Sequence, residues 1–202
     1  LKSWVRAKKS RSYRGEQGRA APNLLARQFE AGRPHQKWVT DVTEFKVRGE
    51  KLYLSPVMDL YNGEIVAYET ASRPSYDLVG SMLDKALGCL GEKPSLVIHS
   101  DQGWHYQQAQ YRHKLKQRGV KQSMSRKGNC LDNAAMESFF ATLNQSLVNR
   151  VMYKTRRSAI QDIFRWIETW YNRHRRHSYL GYESPDNYEK ASLRPQPITI
   201  AA

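Results

Sequence analysis

Cysteine is nearly absent from this 202-residue chain. The two that occur, Cys89 and Cys130, fit neither a disulfide framework nor a cysteine-rich zinc site, and they read as ordinary thiols in a reducing compartment. No apolar run approaches the roughly 18 residues a membrane span needs, which excludes an integral helical membrane protein. The opening Leu1-Lys2-Ser3-Trp4 is followed by no signal-peptide core and lacks an initiator methionine, as expected of a fragment or a conceptual product of a larger gene. No glycine-rich loop joins a strand to a helix, so a doubly wound nucleotide-binding fold is not expected. Negative charge is also scarce, with 19 acids against 33 lysines and arginines and a net charge of +14.

That excess points to a polyanionic partner, and nucleic acid is the usual one. Its distribution is uneven. Residues 1–37 carry 10 basic residues against 2 acids, residues 38–149 carry 13 against 12, and residues 150–180 carry 8 against 2. A nearly neutral middle between basic flanks suits a centre of fixed carboxylates with phosphate-neutralising surfaces on either side. Basic tails that merely aid solubility are the plainer alternative.

Residues 1–36 are punctuated by Gly15, Gly18, Pro22, Gly32 and Pro34 and read as a basic arm with a short helix near 22–30. Trp38 to Phe45 alternates as a strand. Lys51 to Leu60 reads as a second strand with a bulge or edge at Pro56, and Asn62-Gly63 turns the chain into a third, Glu64 to Thr70. The period then changes from 2 to 3.6. Leu78, Val79, Met82, Leu83, Ala86 and Leu87 share a helical face after Ser75. Pro94 to His99 is a short apolar strand of the kind buried in a parallel arrangement. A helix over 107–118, a brief strand at 120–123, and helices over 132–148, 158–172 and from Pro185 complete the pattern. The order βββ-α-β-α-β-α with a C-terminal helix is an α+β or mixed-sheet pattern.

Three acids stand out. Asp41 is central in the first strand, where a carboxylate is costly to bury. Asp101 follows the buried strand at its carboxyl end, a favoured place for ligand sites. Glu137 sits among Ala134, Ala135, Phe139 and Phe140 on a helix. Singly, they could be a paired structural acid, a turn or helix cap, and a solvated helix residue. If the first and apolar strands lie parallel and adjacent, Asp41 and Asp101 come together, and the helix can bring Glu137 across the edge. Three clustered carboxylates repel one another, and divalent cations remove that penalty. Oxygen ligands without cysteine or clustered histidine suit Mg²⁺ or Mn²⁺.

Four ordered segments carry a resemblance. They are Trp38-Val39-Thr40-Asp41-Val42-Thr43, His99-Ser100-Asp101-Gln102-Gly103, the run from Ser125 to Phe140, and the run from Tyr171 to Tyr182 followed by Ser184-Pro185. With 35 residues between Asp101 and Glu137, the chain resembles the DDE transposases of the IS3 family of bacterial insertion sequences, of the retroviral-integrase superfamily. The resemblance spans roughly residues 35–190. It implies an α/β, RNase H-like fold, a mixed five-stranded sheet flanked by helices with a C-terminal helical extension. It divides the chain into a basic arm or remnant of an upstream DNA-binding region (1–36), a catalytic core (37–150), a C-terminal helical part (151–190) and a tail (191–202).

The same resemblance implies two Mg²⁺ or Mn²⁺ ions held by Asp41, Asp101 and Glu137, in-line cleavage and strand transfer at element ends, and double-stranded DNA as substrate. It also implies a homo-oligomer on DNA, an OrfA-type partner or fused upstream region, and a bacterial cytoplasmic, nucleoid-associated setting. Expected DNA contacts are Arg126, Lys127, Asn133, Asn144, Arg173, Arg175 and Arg176. The chain departs from the family at Asn144, where a lysine is usual seven residues after the glutamate, and in its short upstream region. Both departures leave a second reading, a catalytically impaired DNA-binding remnant. A ribonuclease H on the same fold is a third, opposed by the C-terminal signature. Asp59 reads as a structural acid near the Asn62-Gly63 turn, and His99 and His105 as packing or capping residues.

Overall fold

A computed structural model describes residues 20–91 and 95–193. The first half of the expected basic arm and nearly all of the expected tail lie outside the described residues.

The chain enters the sheet through β1 (Lys37–Thr40) and β2 (Thr43–Val47), then β3 (Glu50–Asp59) and β4 (Ile65–Ala71). The single strand expected from Trp38 to Phe45 is therefore broken. Thr40 faces Val57 and Thr43 faces Leu54, so β1 and β2 keep one antiparallel register along the same side of β3. The two residues between them, Asp41 and Val42, lie across from Pro56 and Ser55. Proline has no N–H to donate across a ladder, and the Pro56 carbonyl accepts instead from the Thr40 hydroxyl at 2.8 Å. The sheet thus lets go of the backbone at Asp41. Pro56 lies inside the sheet rather than at its edge, and the ladder to β4 shifts register beside it, between Val57 and Met58.

Helix α1 (Tyr76–Gly88) leads to β5 (Val97–Ser100), which runs parallel to β1; α2 (Ala109–Gln117) leads to β6 (Lys121–Met124), parallel to β5. The described residues form six strands, but with β1 and β2 as halves of one line the sheet is five positions wide: β4, β3, β1 with β2, β5, β6. Alternation splits the side chains between two cores. Trp38, Val57 and Ile98 meet the α1 residues Val79, Met82, Leu83 and Ala86 together with Tyr111 and Leu115 of α2. On the opposite face, Val39, Phe45, Leu54 and Met58 meet α3 (Ala134–Leu143) and α4 (Arg156–Arg165) through Met136, Phe139, Leu143 and Ile163.

These two helices have irregular ends. α3 follows a 3₁₀ turn at Cys130–Asn133 and runs into a π-turn at Asn144–Val148. α4 starts at Arg156 because Thr155 caps it: the threonine hydroxyl accepts from the Ser158 N–H at 3.1 Å, and Ser158 reciprocates. It continues as a π-turn through Trp166–Tyr171.

The short helix expected near 22–30 does not form. Asn23 Oδ1 accepts from the Ala26 N–H at 2.8 Å, and Ala26 and Arg27 take positive φ values of 47° and 63°. This side-chain-to-backbone turn competes with helix. The backbone beside it is used elsewhere: Leu24 and Leu25 donate to Ser123 Oγ at 2.8 and 3.2 Å, and Met124 donates to the Pro22 carbonyl at 3.3 Å. The stretch covers β6, which would otherwise be an open edge.

The C-terminal signature folds onto the β3–β4 turn before reaching α5 (Pro185–Ser192). Asn172 Oδ1 accepts from the Ile65 N–H at 3.0 Å and its Nδ2 donates to the Ile65 carbonyl at 3.1 Å, so one side chain imitates a neighbouring strand. Gly63 takes φ +74° with the Tyr179 hydroxyl set directly over the place a Cβ would occupy. Asn172→Ala leaves two buried backbone groups without partners and is expected to destabilise the fold by about 2–4 kcal/mol. A urea titration measures this, and a loss below about 0.5 kcal/mol would count against the pairing.

Candidate active site

Because Val39 pairs in parallel with His99, two residues further on Asp41 comes level with Asp101. Both leave the carboxyl ends of neighbouring strands, whose backbones lie about 4.8 Å apart. Asp41 is half-buried and Asp101 is exposed. Asp41 Oδ1 accepts from the Val42 N–H at 2.7 Å, and Asp101 Oδ1 from the Gly103 N–H at 2.9 Å. A Cβ at Gly103 would stand 2.9 Å from both Asp101 Oδ1 and His105 Nε2, so a side chain there would displace the carboxylate it holds. Glu137 lies exposed in the first turn of α3. That turn is tied to the end of β1, where buried Asn133 donates through Nδ2 to the Thr40 carbonyl at 3.3 Å.

The Asp41 carboxyl is pushed from 3.8 up to about 7. Burial is the largest cause and the charge of Asp101 the next; the Val42 N–H opposes them, and the charge of Glu137 adds a smaller push. Both other acids therefore bear on Asp41, Asp101 more strongly than Glu137. Among the described residues, no three His, Cys, Asp or Glu side chains stand close enough to hold an ion as they are. Behind the acids, fully buried Tyr106 places its hydroxyl 3.4 Å from Thr40 Oγ1. Burial and the charges of Asp41 and Asp101 keep its proton on. His99 bridges Ser123 Oγ at 2.8 Å and Ser125 Oγ at 3.1 Å, and burial lowers it to about 4. Burial also lowers His105, against the pull of Asp101. Both rings are thus mainly neutral near pH 7 and leave the local acidity uncompensated.

Two models of the integrase core domain match, over residues 31–130 and 118–185. The chain is 46% identical to InsK, named as a transposase for insertion sequence element IS150 of Escherichia coli (strain K12), over 97% of this chain and 69% of that protein. It is 45% identical to a transposase-like protein of Haemophilus influenzae, over 96% and 88% of the two chains. The chain belongs to the integrase-core transposases of the IS3-family insertion sequences. InsF, the transposase of IS3A from E. coli (strain K12), is 35% identical over 94% of this chain and 67% of that one. Solved structures at lower identity share the fold. The simian T-cell lymphotropic virus intasome gives a TM-score of 0.68 at 16% identity, covering 93% of this chain and 66% of that one. The magnesium-bound HTLV-2 integrase catalytic core gives 0.57 at 17%, covering 77% and 97%. The expected RNase H-like mixed sheet is the fold observed. No helix among the described residues is long and apolar enough to cross a membrane.

The transposase arranges its other candidate residues in two ways. Lys127, Arg173 and Arg176 are exposed. Arg126 directs its guanidinium at Asp132, and Asn133 is buried against Thr40. Arg175 lies 5.9 Å from the ring centres of both Trp170 and Tyr171 and donates to Thr142 Oγ1 at 3.3 Å. Asn144 is half-buried where α3 passes into the π-turn. Asp59 lies across from Trp38, near the opposite end of β1 from Asp41, and accepts the N–H groups of His35 at 2.6 Å and Tyr61 at 2.9 Å, a structural role. The residue that sequence reasoning missed is Asp132, whose side chain is 0% exposed. Its signal was an acid between apolar and amide residues six positions after an arginine.

Proposed function

We propose that this transposase cleaves the ends of its insertion element and joins them to target DNA, with Asp41, Asp101 and Glu137 as ligands of two Mg²⁺ or Mn²⁺ ions. The observation that carries this reading is the parallel register that levels Asp41 with Asp101, together with an Asp41 carboxyl driven up to about 7 by burial and by its acidic neighbours. All-oxygen donors under mutual repulsion fit a hard divalent cation. Bound there, two ions would supply an activated hydroxyl nucleophile and charge stabilisation at the leaving oxygen. The protein's part is to prepare that place. Asp41 gives up its proton near neutral pH, the Gly103 N–H holds Asp101 in one orientation, and the Asn133 anchor sets the first turn of α3 beside them. Lys127, Arg173 and Arg176 present exposed cations for phosphates, and Asn144 extends the helical face of Glu137 toward the strand being cut. Double-stranded DNA as substrate, assembly as a homo-oligomer on it, and help in end recognition from an OrfA-type partner or fused upstream region belong to the same proposal.

Labelled DNA bearing the element's own ends, incubated with the protein and Mn²⁺, tests it. Nicking and strand joining are expected, and both should disappear in Asp101→Asn. Nicking that survives this substitution undamaged would sink the assignment. Salt-dependent binding with no metal-dependent cleavage would instead favour a DNA-binding remnant, the reading that Asn144 motivates.

A further inference from the structure

Asp132 lies one residue before Asn133 and five before Glu137, in the turn that opens into α3. A carboxylate with no exposed surface needs partners for both oxygens, and here they come from three residues in two separate parts of the chain. Arg126 donates from Nε to Oδ2 at 3.0 Å, from Nη2 to Oδ1 at 2.8 Å and from its backbone N–H to Oδ2 at 3.0 Å. Arg27 donates from Nε to Oδ1 at 2.9 Å, and Asn23 from Nδ2 to Oδ2 at 3.0 Å. Arg27 also reaches Asn129 Oδ1 at 3.0 Å, closing the loop between β6 and α3. The Arg126 interaction, largest among these influences, holds the Asp132 carboxyl far below the usual carboxylate range.

We propose that Asp132 is a positioning residue for Glu137. The paired carboxylate pins the 126–132 loop and the turn at residues 23–27 before β1 to the start of α3, and Asn133 then fixes that start against Thr40. Arg126 serves as the fork on this carboxylate rather than as a phosphate ligand, and Arg27 makes the segment upstream of the sheet part of the same latch. The backbone stretch at 22–25 already runs along β6, so the latch joins that edge to the helix bearing Glu137. A change in how the upstream segment is held would be felt at the third acid. The role in catalysis rests on the function proposed above; the latch itself is a statement about the chain alone.

The test compares Asp132→Asn, Arg126→Gln and Arg126→Lys in the full chain. The first readout is hydrogen exchange of the amides from Ala134 to Ser138, without DNA or metal. About tenfold faster exchange is expected there in Arg126→Gln, with the strands β1 and β5 unchanged. The second is DNA binding in EDTA across a salt series. A latch residue leaves affinity within about twofold and the salt slope unchanged, whereas a lost phosphate contact lowers the slope by about one. The third is metal-dependent cleavage, where a fall of about 10–100-fold and a higher half-saturating Mn²⁺ concentration are expected. Lysine at 126 should not rescue, because a point charge cannot replace the bidentate fork. If Asp132→Asn fails to fold, Arg126→Gln decides, its side chain being 58% exposed. Unchanged exchange in the first turn of α3, or a reduced salt slope in Arg126→Gln, overturns the latch. Absence of cleavage in the wild-type protein counts instead against the proposed enzyme and leaves the exchange and salt results to decide the latch.

Discussion

Asp41→Asn is expected to raise the melting temperature of the metal-free protein at pH 8 by roughly 5–10 °C while lowering metal-dependent strand cleavage about a thousandfold or more. The two effects share one cause. A carboxyl displaced from 3.8 to about 7 in the folded chain is held there unwillingly once ionised. The folded state binds this proton more tightly than the unfolded state, so stability falls as pH rises between the two values. The penalty is absent near pH 4, grows up to about pH 7 and is constant above it. At full size it amounts to about 2–4 kcal/mol, and in a chain of this length each kcal/mol moves the midpoint by about 2–4 °C. Asparagine has similar shape and no charge, so it removes the penalty and also removes one of the three proposed metal ligands. Saturating Mg²⁺ should reverse the order of the melting temperatures at pH 8, because binding stabilises only the form that can hold the ion. Metal affinity of the wild-type protein should weaken about tenfold for each pH unit below 7, as one proton competes for Asp41. Melting curves from pH 4 to 8, with EDTA and with Mg²⁺, read all of this at once. An equal difference between the two proteins at pH 4 and at pH 8 would show that charge at residue 41 is not the cause.

The elements that announce themselves locally were legible in the sequence. The apolar face of α1 is the set of positions expected at a 3.6 period, and the strand at Val97–Ser100 is parallel to β1 as its unbroken apolar character suggested. That pairing levels Asp41 with Asp101, so most of the site could be inferred from strand order. What was hidden depended on partners distant in sequence. The strand broke at Asp41 because Pro56 lies across from it, a fact about pairing rather than about residues 38–45. Residues 22–30 carried a helical composition, but the open edge of β6 claimed their backbone. The arginines of the C-terminal signature read alike, yet Arg175 stacks within the chain while Arg173 and Arg176 face outward. Asp132 could not be recognised as the centre of a latch because one of its two arginines lies 105 residues away. Local pattern suggested each of these features, and a contact with residues distant in sequence decided its form.

Phe139→Ala is expected to destabilise the fold by about 3–5 kcal/mol, a large part of the 5–15 kcal/mol that typically separates folded from unfolded chains. Phe139 is 1% exposed on the underside of α3. Its ring centre lies 4.9 Å from that of Tyr171, edge-on at 90°, 5.5 Å from Phe140 and 5.9 Å from Trp166. It therefore joins α3 to the π-turn that ends α4 as well as to the sheet. Truncation opens a cavity among aromatic rings, which cannot collapse without moving a helix. Glu137 stands two residues earlier on the exposed side of the same helix, so packing below and placement of the acid above are two sides of one element. The contrast is Phe164→Ala, where a ring 56% exposed is removed from the neighbouring helix, and a loss under about 1 kcal/mol is expected. Urea titrations of the two variants should separate them by several kcal/mol. In Phe139→Ala, hydrogen exchange should rise along α3 before it rises in β1 and β5. Similar losses in the two variants would mean that α3 is not seated through its aromatic face, and the anchoring of Glu137 would then rest on the Asn133 and Asp132 contacts alone.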